Sequence, residues 1–229
     1  MTSLTAKNYN FAFASSEFFF NPGDMSISPS EFDKKLAELR NLYPQGIAYV
    51  TQNLFGSHDS NRISSHIVNR GLGNFADWGT YFNLSQAARN LQYKVYKPIL
   101  EDIRLQKLFA VMQMTYVGAP MIYYGDEVGM WGGNDPDNRK PMIWPDIEYA
   151  DEIYTPNGSK RSPDKVEINR NLQAHYKKLI SIRHQHKALT LGSYNTLLVD
   201  DKKGLYGFER EYIGQRIWVL FNNSEKNQQ

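Results

Sequence analysis

The chain has 229 residues, a formal net charge of +2, no cysteine, and 41% hydrophobic against 22% charged residues. These proportions are those of a globular protein long enough to bury one or two cores, and they exclude the disordered and fibrous classes. Charge is spread without long runs of either sign, which argues against a nucleic-acid or anionic-membrane partner, and the absent cysteines exclude disulfides, thiolate metal sites and thiol nucleophiles.

The first twenty residues show no basic segment followed by an apolar core, and no window reaches membrane-spanning length, so localisation is left open. Phe11, Phe13 and Phe18 to Phe20 form an aromatic segment without a capping signal before it, as expected of a chain that begins inside a core. Ser28-Pro29-Ser30-Glu31 then offers an N-cap, a proline at the first helical position and a glutamate three residues after the cap. Phe32, Leu36 and Leu39 line that helix, which should stop near Tyr43-Pro44-Gln45-Gly46. A short strand should carry Asn53-Leu54-Phe55-Gly56 into Ser57-His58-Asp59. No element is assigned between Arg62 and Glu101.

Leu105, Leu108, Phe109, Met112 and Tyr116 recur at helical spacing and end against Gly118. Ala119 to Tyr124 is apolar rather than alternating, as in a parallel strand covered on both faces, and breaks at Gly125-Asp126-Glu127. Asp164 and Glu167 are read as the capping pair of a third helix whose face is Ile168, Leu172, Tyr176, Leu179 and Ile180. After Gly192 three short segments, Tyr194 to Val199, Leu205 to Arg210 and Arg216 to Phe221, read as an antiparallel meander. Strand and helix alternation before it gives an α/β class with a parallel sheet or barrel.

Three polar clusters can carry chemistry. Ser57-His58-Asp59-Ser60-Asn61-Arg62 follows a strand, where a βα barrel presents its active site, yet the same residues can simply cap a helix or satisfy backbone. Gly125-Asp126-Glu127 reads as a glycine turn with carboxylates at a helix start. Gly132 to Lys140 is a flexible loop whose carboxylates and Arg139 can hold sugar hydroxyls or water equally well. Aromatic residues, 14% of the chain, suit sugar faces and ordinary cores alike. His58, Asp59, Asp126, Glu127 and Asp135 supply nitrogen and oxygen donors, but no His-x-x-x-His or Glu-x-x-His spacing supports a metal site, and no metal is assigned. Phosphate-binding glycine loops and a Gly-x-Ser-x-Gly elbow are absent from the sequence.

Asn53 to Arg62, NLFGSHDSNR, resembles the motif that carries the third catalytic aspartate of the α-amylase superfamily. Gly118 to Trp144, GAPMIYYGDEVGMWGGNDPDNRKPMIW, resembles the last barrel strand and following loop of its neopullulanase, cyclomaltodextrinase and α-glucosidase-like members. More loosely, Asn8 to Phe20 resembles the sixth-strand region, and the meander resembles the start of the C-terminal β-sandwich. The resemblance implies the C-terminal part of a (β/α)8 TIM barrel over residues 1–190, followed by the beginning of an antiparallel β-sandwich domain over 191–229.

By the same resemblance the parent is a retaining glycoside hydrolase acting on α-glucosidic bonds of starch-type or maltooligosaccharide substrates. Asp59 matches the transition-state-stabilising aspartate, His58 a contact to the same sugar, and Asp135 with Arg139 a pair contacting a glucose further along the non-reducing side; Arg62 is added as a substrate contact. No cofactor is implied as required. Structural calcium occurs in such parents mostly through a domain not represented here. The nucleophile's Gly-x-Arg-x-Asp segment and the acid/base glutamate lie upstream of the Asp59 motif in the family and are absent; Glu17 lacks the family context for the acid/base role. The chain alone is therefore expected not to hydrolyse glycans. The alternative is a non-catalytic glycan-binding or scaffold fragment. An exposed parallel edge makes self-association or marginal stability the further expectation.

Overall fold

The structure, a computed structural model, describes residues 7–224 and 226. In chain order it runs β1 (Lys7–Asn8), α1 (Tyr9–Phe19), α2 (Pro29–Asn41), α3 (Gln45–Ala48), β2 (Gln52–Asn53), α4 (Ile63–Val68), α5 (Trp78–Leu84), α6 (Leu100–Thr115) and β3 (Ala119–Pro120). It continues with β4 (Glu152–Tyr154), β5 (Lys160–Asp164), α7 (Arg170–Gln185), α8 (Lys187–Leu191), β6 (Ser193–Asp200), β7 (Leu205–Tyr212) and β8 (Gln215–Asn222). Among the described residues no helix is long and apolar enough to cross a membrane. Two compact units result, one of Met1–Leu54, Phe109–Met121 and Lys178–Gln229, the other of Phe55–Leu108 and Ile122–Lys177.

In the first unit β1, β2 and β3 pair in parallel in that order, Asn8 opposite Asn53 and Asn53 opposite Pro120. Parallel neighbours need crossovers, and helices lie between each pair in the chain. Each ladder is only two residues long, so side chains complete its hydrogen bonding. Asn8 Nδ2 donates to Asn53 Oδ1 at 3.0 Å, Asn53 Nδ2 to the Val117 carbonyl at 2.6 Å, and Gln113 Nε2 to the carbonyls of Asn53 and Met121 at 3.0 Å each. Around the end of α6, Arg183 donates to the carbonyls of Met114 at 2.7 Å and Gly118 at 2.6 Å, while Arg210 donates to those of Thr115 and Gly192. Burial pulls both guanidiniums down to about 10.

The capping box expected at Ser28 is present, with Glu31 Oε2 accepting from the Ser28 amide at 2.9 Å. Phe32 and Leu36 are buried and Phe32 stacks on Phe18 with ring centroids 4.2 Å apart. The antiparallel sheet β6-β7-β8 leans on the same cluster: Tyr206 packs edge-on to Phe32 and Phe221 edge-on to Phe19. Tyr206 Oη and Thr196 Oγ1 both donate to Asp33 Oδ1. Residues on either side of position 190 therefore share one core.

Helices α4 and α5, the hairpin β4-β5 and the long segment 122–151 belong to the second unit. Its largest aromatic cluster joins Phe55, His66, Phe75, Trp78 and Tyr81, and smaller cores collect Ala87, Tyr93, Val95 and Trp131, and Val128, Met130 and Ile143.

Four local expectations are corrected. The aromatic segment is helix α1, and it does have a cap: Asn8 Oδ1 accepts from the Phe11 amide at 3.1 Å. The strand expected over Ala119 to Tyr124 pairs only at its first two residues, and Met121, Ile122 and Tyr123 are half-buried. Asp164 ends β5, binding the Lys97 amide at 2.9 Å, and α7 is instead opened by Asn169, whose Oδ1 accepts from the Leu172 amide. On α7, Ile180 is exposed and Arg183 takes the buried position below Leu172, Tyr176 and Leu179.

Replacing Arg183 by Met leaves the Met114 and Gly118 carbonyls without their donor. We expect a loss of about 3 kcal/mol in urea unfolding, since buried acceptors without partners cost ~1–3 kcal/mol each; an unchanged midpoint would show that these carbonyls find other donors.

Candidate functional site

The loop after β2 begins with Gly56, where an added Cβ would sit 2.8 Å from Asp126 Oδ2. A tight serine turn follows: the Ser57 amide donates to Ser60 Oγ at 3.0 Å and the Asp59 amide to Ser57 Oγ at 3.0 Å. His58 and Asp59 project from that turn, each side chain 54% exposed, with His58 Nε2 3.2 Å from Asp59 Oδ1. The serines are wholly buried beneath them. So the turn fixes the backbone of the two residues while leaving their polar ends open.

The loop after β3 supplies the other half. Asp137–Arg139 is a single 3-10 turn, and its buried Asn138 donates Nδ2 to the carbonyls of Ser57 at 3.0 Å and Ser60 at 2.7 Å. Next to it Arg139 Nε reaches the His58 carbonyl at 3.2 Å and Asp135 Oδ1 at 2.8 Å. Arg139 and Asp135 are roughly half exposed, at 48% and 42%. Residues nearly eighty positions apart thus form one continuous open strip of two carboxylates, an imidazole and a guanidinium. Each surface ion pair in it is weak, ~0–1 kcal/mol. Position is set by the buried Asn138 amide underneath.

Arg62 does not join the strip, and its expected contact with substrate is corrected by its burial. It is 0% exposed; Nη1 donates to the Tyr124 carbonyl at 2.6 Å and to Asp126 Oδ1 at 3.2 Å, and the guanidinium lies 4.7 and 4.8 Å from the rings of Tyr123 and Tyr124. The reading of Gly125-Asp126-Glu127 as a structural turn fits what is seen: Gly125 is left-handed at φ 87°, Glu127 Oε2 accepts its amide, and Asp126–Val128 forms a 3-10 turn. Asp126 is nonetheless perturbed, its carboxyl pushed up to about 7 by burial against the opposing pull of Arg62. Glu17 is buried in the first unit and paired with Lys35 Nζ at 2.7 Å.

Sequence reasoning missed Asn138, which sat unremarked inside the third cluster, and the polar core under the first. Asn61 Nδ2 donates to the hydroxyls of Tyr81 at 3.1 Å and Tyr93 at 2.7 Å, and His66 Nδ1 lies 2.7 Å from Tyr81 Oη. Burial pulls His66 down to about 3, so it is neutral there. Among the described residues no group of three or more His, Asp or Glu side chains is arranged to hold a metal ion.

Two shifts give a pH test. The folded Asp126 carboxyl, at about 7 against an ordinary 3.8, binds its proton more tightly than the unfolded chain does. Its contribution to stability is complete below pH 3.8 and is lost as pH rises through 7. His66, at about 3 against 6.5, works oppositely: its contribution is present above 6.5 and is lost as pH falls. Asp126→Asn should remove the first and keep the second. Thermal midpoints between pH 4.5 and 7.5 should then rise with pH by several degrees more in the variant than in the parent chain. Parallel curves would mean that Asp126 titrates as an ordinary carboxylate.

Residues 97–192 match the family model described as Alpha amylase, catalytic domain. Over 92% of its length the chain is 34% identical to neopullulanase 2 of Thermoactinomyces vulgaris, and over 96% it is 33% identical to a cyclomaltodextrinase of Thermoanaerobacter pseudethanolicus. It spans 27% and 29% of those two relatives. A solved cyclomaltodextrinase structure superposes with a TM-score of 0.65 at 28% identity, covering 96% of this chain and 28% of that one. The succession of parallel strands and helices is accordingly part of an α/β, TIM-barrel-type fold.

Proposed function

We infer that this chain, which belongs to the α-amylase family, supplies the stabilising aspartate and part of the sugar-binding surface of a retaining glycoside hydrolase acting on α-glucans. The observation that carries this reading is the strip in which Arg139 ties the Asp135 carboxylate to the backbone of the His58–Asp59 turn. The relatives' names, a neopullulanase and cyclomaltodextrinases, support the substrate class.

In this reading Asp59 accepts hydrogen bonds from ring hydroxyls that strengthen as the sugar flattens toward the oxocarbenium ion, which is binding spent in the transition state. His58, 3.2 Å away, contacts the same sugar and orients the carboxylate. Asp135 and Arg139, already paired, hold an adjacent glucose by one acceptor and one fork of donors. The chain holds no Gly-x-Arg-x-Asp segment, so nucleophile and acid/base come from outside it, and the isolated chain binds without turnover. Sheet β6-β7-β8 is read as the opening of a β-sandwich domain over 191–229. Trp218 and Leu220, 67% and 64% exposed on the face away from Tyr206 and Phe208, offer what a second sheet would cover.

Incubating the purified chain with maltotriose, pullulan or cyclodextrin should release no reducing sugar, while calorimetry should detect maltotriose binding that Asp59→Asn weakens by about tenfold, the worth of one charged hydrogen bond. Turnover abolished by Asp59→Asn would instead mean that this chain completes the site by itself. Absence of any maltotriose binding would remove the reading altogether.

A further inference from the structure

The segment between α5 and α6 has no motif to explain it, yet it is fastened to the loop that carries Asp135. The Asn134 amide donates to the Ser85 carbonyl at 2.8 Å, and Asn134 Nδ2 to the Phe82 carbonyl at 3.3 Å. Gly133 permits the approach: a Cβ there would lie 2.8 Å from the Ala87 Cβ and 3.0 Å from the Ser85 oxygen. Asn90 Nδ2 closes the turn on the Leu84 carbonyl at 2.7 Å, and the Arg89 amide donates to the Gln86 carbonyl at 2.9 Å. Backbone this well tied fixes the points from which its outward side chains leave the chain.

Between the two segments lies an open cavity of about 510 Å³, lined by Gln86, Arg89, Asp135, Arg139, Lys140 and Pro156 among others. Its size is that of ordinary small-ligand sites, ~300–1,000 Å³. Neither His58 nor Asp59 lines it, so it borders the Asp135–Arg139 pair on a side other than theirs. Arg139 is committed to Asp135 and Lys140 to Glu152 at 2.7 Å. Arg89 is exposed, and among the described residues no carboxylate pairs with it. A wall with five unspent guanidinium donors, a glutamine amide and a neighbouring carboxylate rim suits a neutral polyhydroxylated ligand, which needs donors and acceptors together.

We propose that Gln86 and Arg89 bind a further glucose unit of the α-glucan, beyond the one held by Asp135 and Arg139, so that residues 85–89 make the site select longer chains. This rests on the reading of Asp59 and Asp135 as sugar contacts. Calorimetric titration of the whole chain with maltotriose and maltohexaose tests it in four forms: unaltered, Arg89→Ala, Gln86→Ala and Asp59→Asn, with thermal midpoints as a check on folding. The unaltered chain should bind maltohexaose more tightly than maltotriose. Arg89→Ala should weaken maltohexaose about tenfold more than maltotriose, Gln86→Ala should weaken it by less, and Asp59→Asn should weaken both ligands alike. Equal affinity for the two ligands in the unaltered chain, or an Arg89→Ala chain that keeps the preference for maltohexaose, overturns the proposal while leaving the Asp59 reading intact. If Asp59→Asn changes nothing and neither ligand binds, the underlying reading fails and the proposal falls with it.

Discussion

Two-residue strands pair few backbone groups, and everything beyond them must satisfy buried carbonyls by other means. An unmet carbonyl in the interior costs as much as a lost hydrogen bond, so the chain answers with long side chains that carry several donors. In the first unit Asn53, Gln113, Arg183 and Arg210 perform that task for the ends of strands and of α6. In the second, Asn138 bridges two carbonyls of the serine turn, Arg62 takes the Tyr124 carbonyl, and Gln106 Nε2 takes that of Asp126 at 2.8 Å. Polar residues in helix interiors, which a periodicity analysis would count against burial, are there because the loops need them.

The same constraint separates the two fates of the Ser57 to Arg62 loop. Asn61 and Arg62 point inward, where Asn61 Nδ2 donates to two tyrosine hydroxyls and Arg62 Nη1 to a backbone carbonyl and Asp126. His58 and Asp59 face outward from a turn whose Ser57 and Asp59 amides are satisfied by the hydroxyls of Ser60 and Ser57. A carboxylate in the interior pays for desolvation with a raised pKa, as Asp126 does even beside an arginine. Asp59 lies half in water, paired among the described residues only with the equally exposed His58.

What the sequence made legible follows from this division. Spacing of apolar residues and the Ser28 cap located α2, α6 and the closing meander because those features act within a few residues of the chain. The Asp59 loop was legible as a motif. Partners set by long-range packing were not: nothing local distinguishes Asn138 from the polar residues around it, or reveals that Arg62 is interior while Arg139 is open. Some misses had local signals. Asn8 sits where an N-cap belongs before the aromatic helix, and Asn157-Gly158 marks the turn between β4 and β5 that displaced the expected cap at Asp164. Arg183 in place of Ile180 shows a helical stripe whose last member was chosen for carbonyls, not for apolar area.

A sugar site need not be rigid throughout, but the groups that discriminate between a relaxed ring and a flattened one must be held before the ligand arrives. On the proposed reading that preorganisation comes from below. The exposed pairs His58–Asp59 and Asp135–Arg139 are too well solvated to fix their own geometry, and each would drift if the loops parted. One amide, wholly buried, joins the two loops by donating to carbonyls on both sides of Asp59. The segment at Ser85 extends the same device, since Asn134 clasps its carbonyl from the loop that also bears Asn138 and Arg139. On the proposed reading, binding surface is added by attaching new backbone to a loop already fixed, without disturbing the turn that holds the carboxylate.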